Sequence, residues 1–290
     1  MLNTVVVSAP AKINLCLDLT GVTPMGYHLI DTVMQSISLC DIVTLERGSS
    51  GFEITCTDKN IPVDESNLAH RAAVAFFTAA GISPFDLKIH IEKHIPSQAG
   101  LGGGSADAAA VLRGLDAMCK TDFGDKRLCG IGLNVGADVP FCLVGGCTRA
   151  TGIGEILRPL SPLPFCKIVI IKPDEGVSTA IAYRRYDEYK GKAAAIDTDG
   201  MSEALKAGDL AQIGRRMHNV FEAVICGQTE PAKKLLYKHG AKGAVLSGSG
   251  SAVAGVFAAT TDVSRCISEF DGFAREARPL GNGAVVISAE

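Results

Sequence analysis

Apolar residues recur along this chain with two periods, and the alternation between them divides it into extended and helical stretches. From residue 4 to about 57 the pattern is extended: VVV, the alternating INLCLDL, LIDTVMQSISL, IVTLE and GFEITC, separated by GVTPMGYH, CD and RGSSG. Such runs bounded by turn residues predict an antiparallel sheet. Helical spacing takes over at 66–80, where Leu68, Ala72, Ala75, Phe76 and Ala79 share a face and Ser66 is placed to cap the first turn. The strand LKIHIEK comes next. After it, IPSQAGLGGGSADAAAVLRGLDAM reads as a glycine-rich turn feeding a helix with the apolar stripe Ala108, Val111, Leu112, Leu115 and Met118.

Farther on, 125–135 is expected to be helical, GADVP a tight turn, and FCLVGG, TRATG and GEIL short strands ending near 159. RPLSPLP, with three prolines in seven residues, is the natural linker. It divides the chain into an amino-terminal unit, 1–159, and a carboxyl-terminal unit, 160–290. The second unit is expected to run strand (CKIVII), helix (179–189), a polar loop and helices near 202–226 and 230–239. Strands GAVLSG and AVAGVF, a helix near 262–275 and a last strand, GAVVIS, complete an elaborated β-α-β-β-α-β sandwich. The stripe Leu210, Ile213, Met217, Val220, Phe221 and Val224 supports the middle helix.

Composition narrows the class. At 290 residues the chain fits about two domains, and 47% hydrophobic with 20% charged residues describes a soluble globule, not a disordered, collagenous or coiled-coil chain. A net charge of -3 offers no basic field for nucleic acid, so no nucleic-acid partner is expected. The ten cysteines form no C-x-x-C pair and mostly sit in apolar runs, as small core residues in a reducing cytosol do. No apolar stretch approaches the roughly 18 residues of a membrane span, and the start MLNTVVVSAPAK has neither a basic end nor an apolar signal core. A cytoplasmic location without a membrane partner follows as the expectation. The pattern says nothing about oligomeric state.

Four segments carry chemistry. In the loop Gly100, Leu101, Gly102, Gly103, Gly104, Ser105 the glycines let the backbone approach a ligand, and the helix that follows offers free N–H groups and a positive dipole end to an anion. Phosphate is the natural guest, although a tight structural turn has the same composition. The loop lacks the Gly-Lys-Ser/Thr ending of a Walker motif and fits no register of G-x-G-x-x-G. In PAKINLCLDL, alternation turns Ile13, Leu15, Leu17 and Leu19 to one side and Lys12, Asn14, Cys16 and Asp18 to the other. Lys12 is then either a solvated edge cation or half of a polar site with Asn14. GADVP sets Asp138 between a flexible glycine and a rigid proline, as a turn former or helix cap, or as a base or anchor beside a transferring phosphoryl group. L246-S-G-S-G-S-A-V is a second small-residue loop between strands.

In this order the segments resemble the GHMP kinases, a superfamily of small-molecule kinases: PAKINL at 10–15, PSQAGLGGGSADAA at 96–109 and SGSGSA at 247–252 stand where its three motifs fall. GYH at 26–28, SNLAHRA at 66–72, GADVPFCL with GGCTRATGIGE, and GVSTAIAYRRYD at 176–187 resemble the branch whose acceptor is a cytidine diphosphate-linked methylerythritol. The likeness covers nearly the whole chain and is thinnest at 188–240. It implies an α+β, two-domain GHMP kinase fold, with an amino-terminal α/β domain containing a left-handed βαβ crossover and a carboxyl-terminal ferredoxin-like domain. It implies ATP as phosphoryl donor, Mg²⁺, and transfer to the 2-hydroxyl of the small-molecule acceptor in isoprenoid precursor synthesis.

Residue by residue, it implies catalytic roles for Lys12 and Asp138, with Asn14 in the same cleft. Tyr27, His28 and Tyr183 would hold the cytosine, with Thr179 beside it. ATP would lie along Pro96, Ala99, Gly100, Leu101, Gly102, Gly103, Gly104, Ser105 and Ala106, with Asn67 and Leu68 on the adenine side. Ala106 stands where many relatives carry a second serine, which weakens the case for metal ligation by the loop. Ser97 and Gln98 receive no role. The alternatives are another kinase of the superfamily, acting on homoserine, mevalonate or a sugar, and a nucleotide-binding sensor without catalysis. The presence of both Lys12 and Asp138 speaks against the sensor.

Overall fold

Two long strands organise the amino-terminal half of the computed structural model, which describes every residue except 1, 49, 50, 175, 177 and 192–194 and the side chains of 226 and 228. The two serines of the RGSSG turn, Val177 and the Cys226 thiol therefore lie outside the described residues. Thr4–Val22 (β1) and His28–Arg47 (β2) pair antiparallel from Thr4 opposite Glu46 to Val22 opposite His28. Segments expected as separate strands are continuous. The CD segment does not break β2, because the Asp41 carboxylate is fully buried and hydrogen-bonded. Register shifts at Pro10/Lys12 and Asn14/Cys16 bend β1 beside Lys12.

Phe52–Cys56 (β3) departs from the antiparallel expectation. It pairs in parallel with Leu87–Glu92 (β4), and Leu68–Ala80 (α1) makes the crossover between them. Ser66 is not the cap of α1: its hydroxyl donates to Asp64, and the Asn67 side chain accepts from the Ala69 N–H at 2.9 Å. Gly103–Cys119 (α2) lays its expected stripe on the sheet, with Ala108, Val111, Leu112, Leu115 and Met118 all fully buried. Contact is close because Gly114 has no side chain; a Cβ there would lie 2.5 Å from Leu45 Cδ1.

Gly124–Leu133 (α3) is helical as expected, but FCLV is not a strand: Val139–Val144 forms a short helix (α4) with Pro140 in its first turn. A short apolar run does not reveal its period, and a proline fits a helix start, where its missing N–H costs no bond. Cys147–Gly152 (β5) and Ile156–Pro159 (β6) extend the first sheet beside β2.

Beyond the proline-rich segment come Cys166–Lys172 (β7), Thr179–Glu188 (α5), Thr198–Ala207 (α6), Leu210–Arg215 (α7) and Glu222–Lys238 (α8). The helical stretch expected over 202–226 is broken at Gly208 and Asp209, between α6 and α7, and again at 216–221. There the chain bridges to β1, with the Leu17 N–H donating to the His218 carbonyl and the Val220 N–H to that of Leu17. Conversely, α8 runs through the gap expected before 230, carrying Pro231 inside it.

Gly243–Leu246 (β8), Val253–Ala258 (β9), Ser264–Ser268 (α9) and Phe273–Ala277 (β10) follow. The helix expected over 262–275 is thus one short turn and then a strand. The second sheet has the order β10-β7-β9-β8, the first and third strands central, as in a ferredoxin-like β-α-β-β-α-β unit. Val285–Ala289 (β11), expected to complete that sheet, instead pairs with β1 at the edge of the first sheet. Among the described residues no helix is long and apolar enough to cross a membrane.

Candidate active site

The middle of β1, the start of α2, the start of α4 and the β8–β9 loop converge on a cavity of about 740 Å³. Lys12 lies at its floor and is not a solvated edge cation: the residue is 4% exposed. Its Nζ donates to Asn14 Oδ1 at 2.7 Å, Asn14 Nδ2 donates to Thr32 Oγ1 at 2.8 Å, and the Thr32 hydroxyl donates to the Cys16 carbonyl at 2.6 Å. This chain fixes the ammonium on the side that alternation along β1 gave it. Asp138 Oδ2 lies 3.7 Å from Lys12 Nζ. The Asp138 side chain makes no capping bond to α4 and is 36% exposed, so it faces the cavity and not its own helix.

The glycine loop covers Lys12. Its backbone is tied down by the Lys12 N–H, which donates to the Leu101 carbonyl at 2.9 Å. Gly102, at φ +73°, lets the loop lie on the lysine stem; a Cβ there would be 3.0 Å from Lys12 Cγ. At φ +72°, Gly100 meets the third motif so closely that a Cβ would fall 2.0 Å from the Ser247 carbonyl oxygen. The Ser247 hydroxyl donates to the Gly100 carbonyl at 2.9 Å, and the Ala252 N–H to that of Ala99 at 3.0 Å. The two glycine-bearing loops therefore form one surface. Helix α2 starts on that surface with Gly102 as N-cap, no side chain capping it and no acid in its first turn, which is the arrangement that accepts an anion.

On one flank, Asn67 Nδ2 donates to the Pro62 carbonyl at 2.6 Å, and Leu68 packs against Gly104, 3.5 Å from where a Cβ would be. On the other flank, the Tyr183 ring lies 4.8 Å from that of His28 and 4.9 Å from that of Phe221. Burial, and then the Asp138 charge, push the Tyr183 phenol up to about 12, so it remains a hydrogen-bond donor at neutral pH. His28 Nε2 is 2.9 Å from Asp187 Oδ1, and Thr179 Oγ1 is 3.0 Å from Ser249 Oγ, which joins α5 to the third motif.

The cavity brings together most of the expected residues: Lys12, Asn14, Asn67, Leu68, Pro96, Ala99 to Ser105, Asp138, Thr179 and Tyr183 all line it. Three do not. His28 reaches it only through Tyr183, Tyr27 is 58% exposed on the β1–β2 turn, and Ala106 is fully buried in α2. Sequence reasoning missed Asn219, whose amide donates to the carbonyls of Leu246 at 2.8 Å and Gly248 at 2.7 Å and so holds the third loop. It also missed an ion cluster behind the glycine loop, in which Lys93 Nζ donates to Asp41 Oδ2 and, at 2.7 Å, to Asp107 Oδ2. Burial pushes Asp107 up to about 7 against the pull of Lys93. Burial also draws Lys93 down, but the two carboxylates together hold it above its ordinary value.

Residues 67–146 match the family described as GHMP kinases N terminal domain, and 201–274 that described as GHMP kinases C terminal. The 4-diphosphocytidyl-2-C-methyl-D-erythritol kinase of Desulfitobacterium hafniense is 43% identical over 258 residues, covering 88% of this chain and 87% of that one. Its counterpart in Caldicellulosiruptor saccharolyticus is 39% identical over 275 residues, covering 93% and 94%. A crystal structure of 4-(cytidine 5'-diphospho)-2C-methyl-D-erythritol kinase superposes with a TM-score of 0.77 at 33% identity, over 95% of this chain and 99% of that one. Homoserine kinase from Cytophaga hutchinsonii superposes with a TM-score of 0.79 at 20% identity, covering 99% and 98%, which is likeness of fold alone.

Proposed function

The chain belongs to the GHMP kinases, and we propose that within them it transfers the γ-phosphoryl group of ATP to the 2-hydroxyl of 4-diphosphocytidyl-2-C-methyl-D-erythritol, in the non-mevalonate route to isoprenoid precursors. The observation that carries the reading is the Lys12–Asp138 pair, 3.7 Å apart where the glycine loop meets the Tyr183 pocket. A transferring group that bridges donor and acceptor has to pass that point.

Phosphoryl transfer runs through a loose transition state with charge spread over the equatorial oxygens, so positioning and electrostatics dominate. The glycine loop and the start of α2 hold the donor phosphates. Lys12, already desolvated and fixed by Asn14, presents its ammonium to the transferring oxygens without reorganisation. Asp138 accepts a hydrogen bond from the acceptor hydroxyl, orients it in line and takes its proton as the new P–O bond forms. The adenine lies toward Asn67 and Leu68. The cytosine stacks on Tyr183, whose ring is held between Phe221 and His28, the latter oriented by Asp187.

Mg²⁺ fits this site as a companion of the nucleotide. Among the described residues no group of three or more His, Cys, Asp or Glu could hold a metal ion, and Asp138 supplies one carboxylate. That suits an ion that keeps several waters and binds substrate phosphates. When bound it neutralises phosphate charge.

A coupled assay of ADP release against a panel of alcohols tests the reading. The cytidine-linked compound should exceed homoserine, mevalonate and galactose in kcat/KM by several orders of magnitude. Comparable turnover of any of these three would overturn the acceptor assignment.

A further inference from the structure

The Asp41–Lys93–Asp107 cluster sits behind the glycine loop and is not part of the chemistry described above. Lys93 is the first residue after β4, and its side chain is 6% exposed at the cavity wall. Asp41, from the middle of β2, turns its second oxygen to the chain that leads into the loop: Oδ1 accepts the N–H groups of His94 at 2.6 Å and Ile95 at 2.8 Å. Asp107 lies on α2, which leads out of it. At the exit, a Cβ on Gly103 would meet Ile95 Cγ2 at 3.2 Å and Lys93 Nζ at 3.3 Å. One ammonium thus joins the carboxylate that fixes the entrance to the carboxylate that fixes the exit, and the seven residues 96–102 between them cradle the donor.

We propose that Lys93 is a positioning residue for nucleotide binding, acting with Asp41 and Asp107 as a clamp that holds both ends of the glycine loop in the phosphate-receiving shape. The inference rests on the kinase reading and extends it to an ammonium at the wall of the same cavity, held by two carboxylates. Preorganisation is the physical basis: a loop with loose ends must be ordered by the ligand, and that cost is subtracted from affinity. The clamp lies on the donor side, so its loss should spare the acceptor pocket around Tyr183.

Asp107 supplies a discriminating pair of variants. Asparagine keeps an oxygen to accept the Lys93 bond, and its amide nitrogen takes the place of Oδ1, where no hydrogen bond is lost. Asp107→Asn keeps the clamp and Asp107→Ala cuts it. Titration calorimetry with ADP on folded protein, together with KM for both substrates, reads the effect. Lys93→Met and Asp107→Ala should weaken ADP binding at least tenfold, with KM for the cytidine-linked alcohol within about twofold of wild type, whereas Asp107→Asn should bind ADP within about threefold.

A cluster that serves stability alone would lower the melting temperature and leave ADP affinity within twofold in every variant that folds, which overturns the clamp. Equal losses for both substrates would overturn it too. If Lys93→Met does not fold, the contrast at Asp107 decides: equal ADP affinity in the Asn and Ala variants refutes the proposal. A wild-type protein that bound no ADP would refute the kinase reading itself, whereas wild-type binding unchanged in the variants refutes only the clamp.

Discussion

Substituting Gly100 by alanine adds a single carbon at the place where two of the three motif loops touch. At φ +72° the residue occupies the left-handed region, which costs a side chain about 1–2 kcal/mol. The added Cβ would also stand 2.0 Å from the Ser247 carbonyl oxygen and 2.9 Å from the Gly250 nitrogen, backbone atoms that no rotamer change can move aside. To restore contact distance the loops must part by about 1 Å, and a misplacement of that size costs on the order of a hundredfold in rate. Parting them stretches the Ser247-to-Gly100 and Ala252-to-Ala99 hydrogen bonds, each worth about 1 kcal/mol net. kcat/KM for ATP should fall roughly a hundredfold in a protein that still folds, with a melting temperature lower by several degrees. Gly130→Ala is the control, since nothing lies within 4 Å of a Cβ there and α3 gains a better helix former. Steady-state kinetics and thermal denaturation of both variants check it. A Gly100→Ala enzyme within threefold of wild type and equally stable would show that the two loops are not one rigid surface.

The remaining expectations concern the rest of the site. Asp138→Asn keeps shape but removes charge and proton-accepting power, and Lys12→Ala removes the fixed cation; each should lower kcat about a hundredfold or more with a modest change in ATP affinity, and single-turnover rates within threefold of wild type would refute the roles. Tyr183→Ala removes a stacking face worth about 1–3 kcal/mol per base, so KM for the cytidine-linked alcohol should rise at least severalfold while KM for ATP holds, and equal shifts in both would contradict the placement of the cytosine. Burial raises Asp107 above its ordinary value against the pull of Lys93, so the stability it contributes declines as pH climbs from about 4 toward neutrality. The melting-temperature difference of Asp107→Asn over wild type should accordingly become more favourable between pH 5 and 8, and a difference constant with pH would count against it.

Local patterns placed Lys12 beside Asn14, the resemblance alone joined Asp138 to them, and long-range pairing hid the rest. Alternation along β1 was enough to place Lys12 and Asn14 on one face, because side-chain direction in a strand is a local property. The glycine loop was legible as a surface for close approach, but which of its glycines take left-handed backbone was not: these are 100 and 102, set by contacts with Ser247 and Lys12 from distant parts of the chain. Asp41 was invisible: an aspartate inside an apolar run reads as a break, and the ammonium of Lys93 with the N–H groups of His94 and Ile95, some fifty residues away, make its burial tolerable. The interruption at 216–221 has the same origin. An apolar stripe favours a helix there, and the bridge to Leu17 outweighs it. Nor could composition tell which sheet receives β11, since its partner β1 lies at the other end of the chain. The segment 139–144 misled by its length, too short for its period to show.

The central claim is that this site places a phosphoryl group on the 2-hydroxyl of the cytidine-linked alcohol by means of Lys12 and Asp138. Its most direct test is phosphorus and carbon magnetic resonance of the product formed from ATP, Mg²⁺ and that alcohol, by wild type and by Asp138→Asn side by side. The account predicts one new phosphomonoester, coupled to the quaternary carbon 2 and growing in step with ADP, in wild type, and about a hundredfold less of it per unit time in the variant. ADP without a new ester, an ester on a different hydroxyl, or equal rates from both proteins would contradict it.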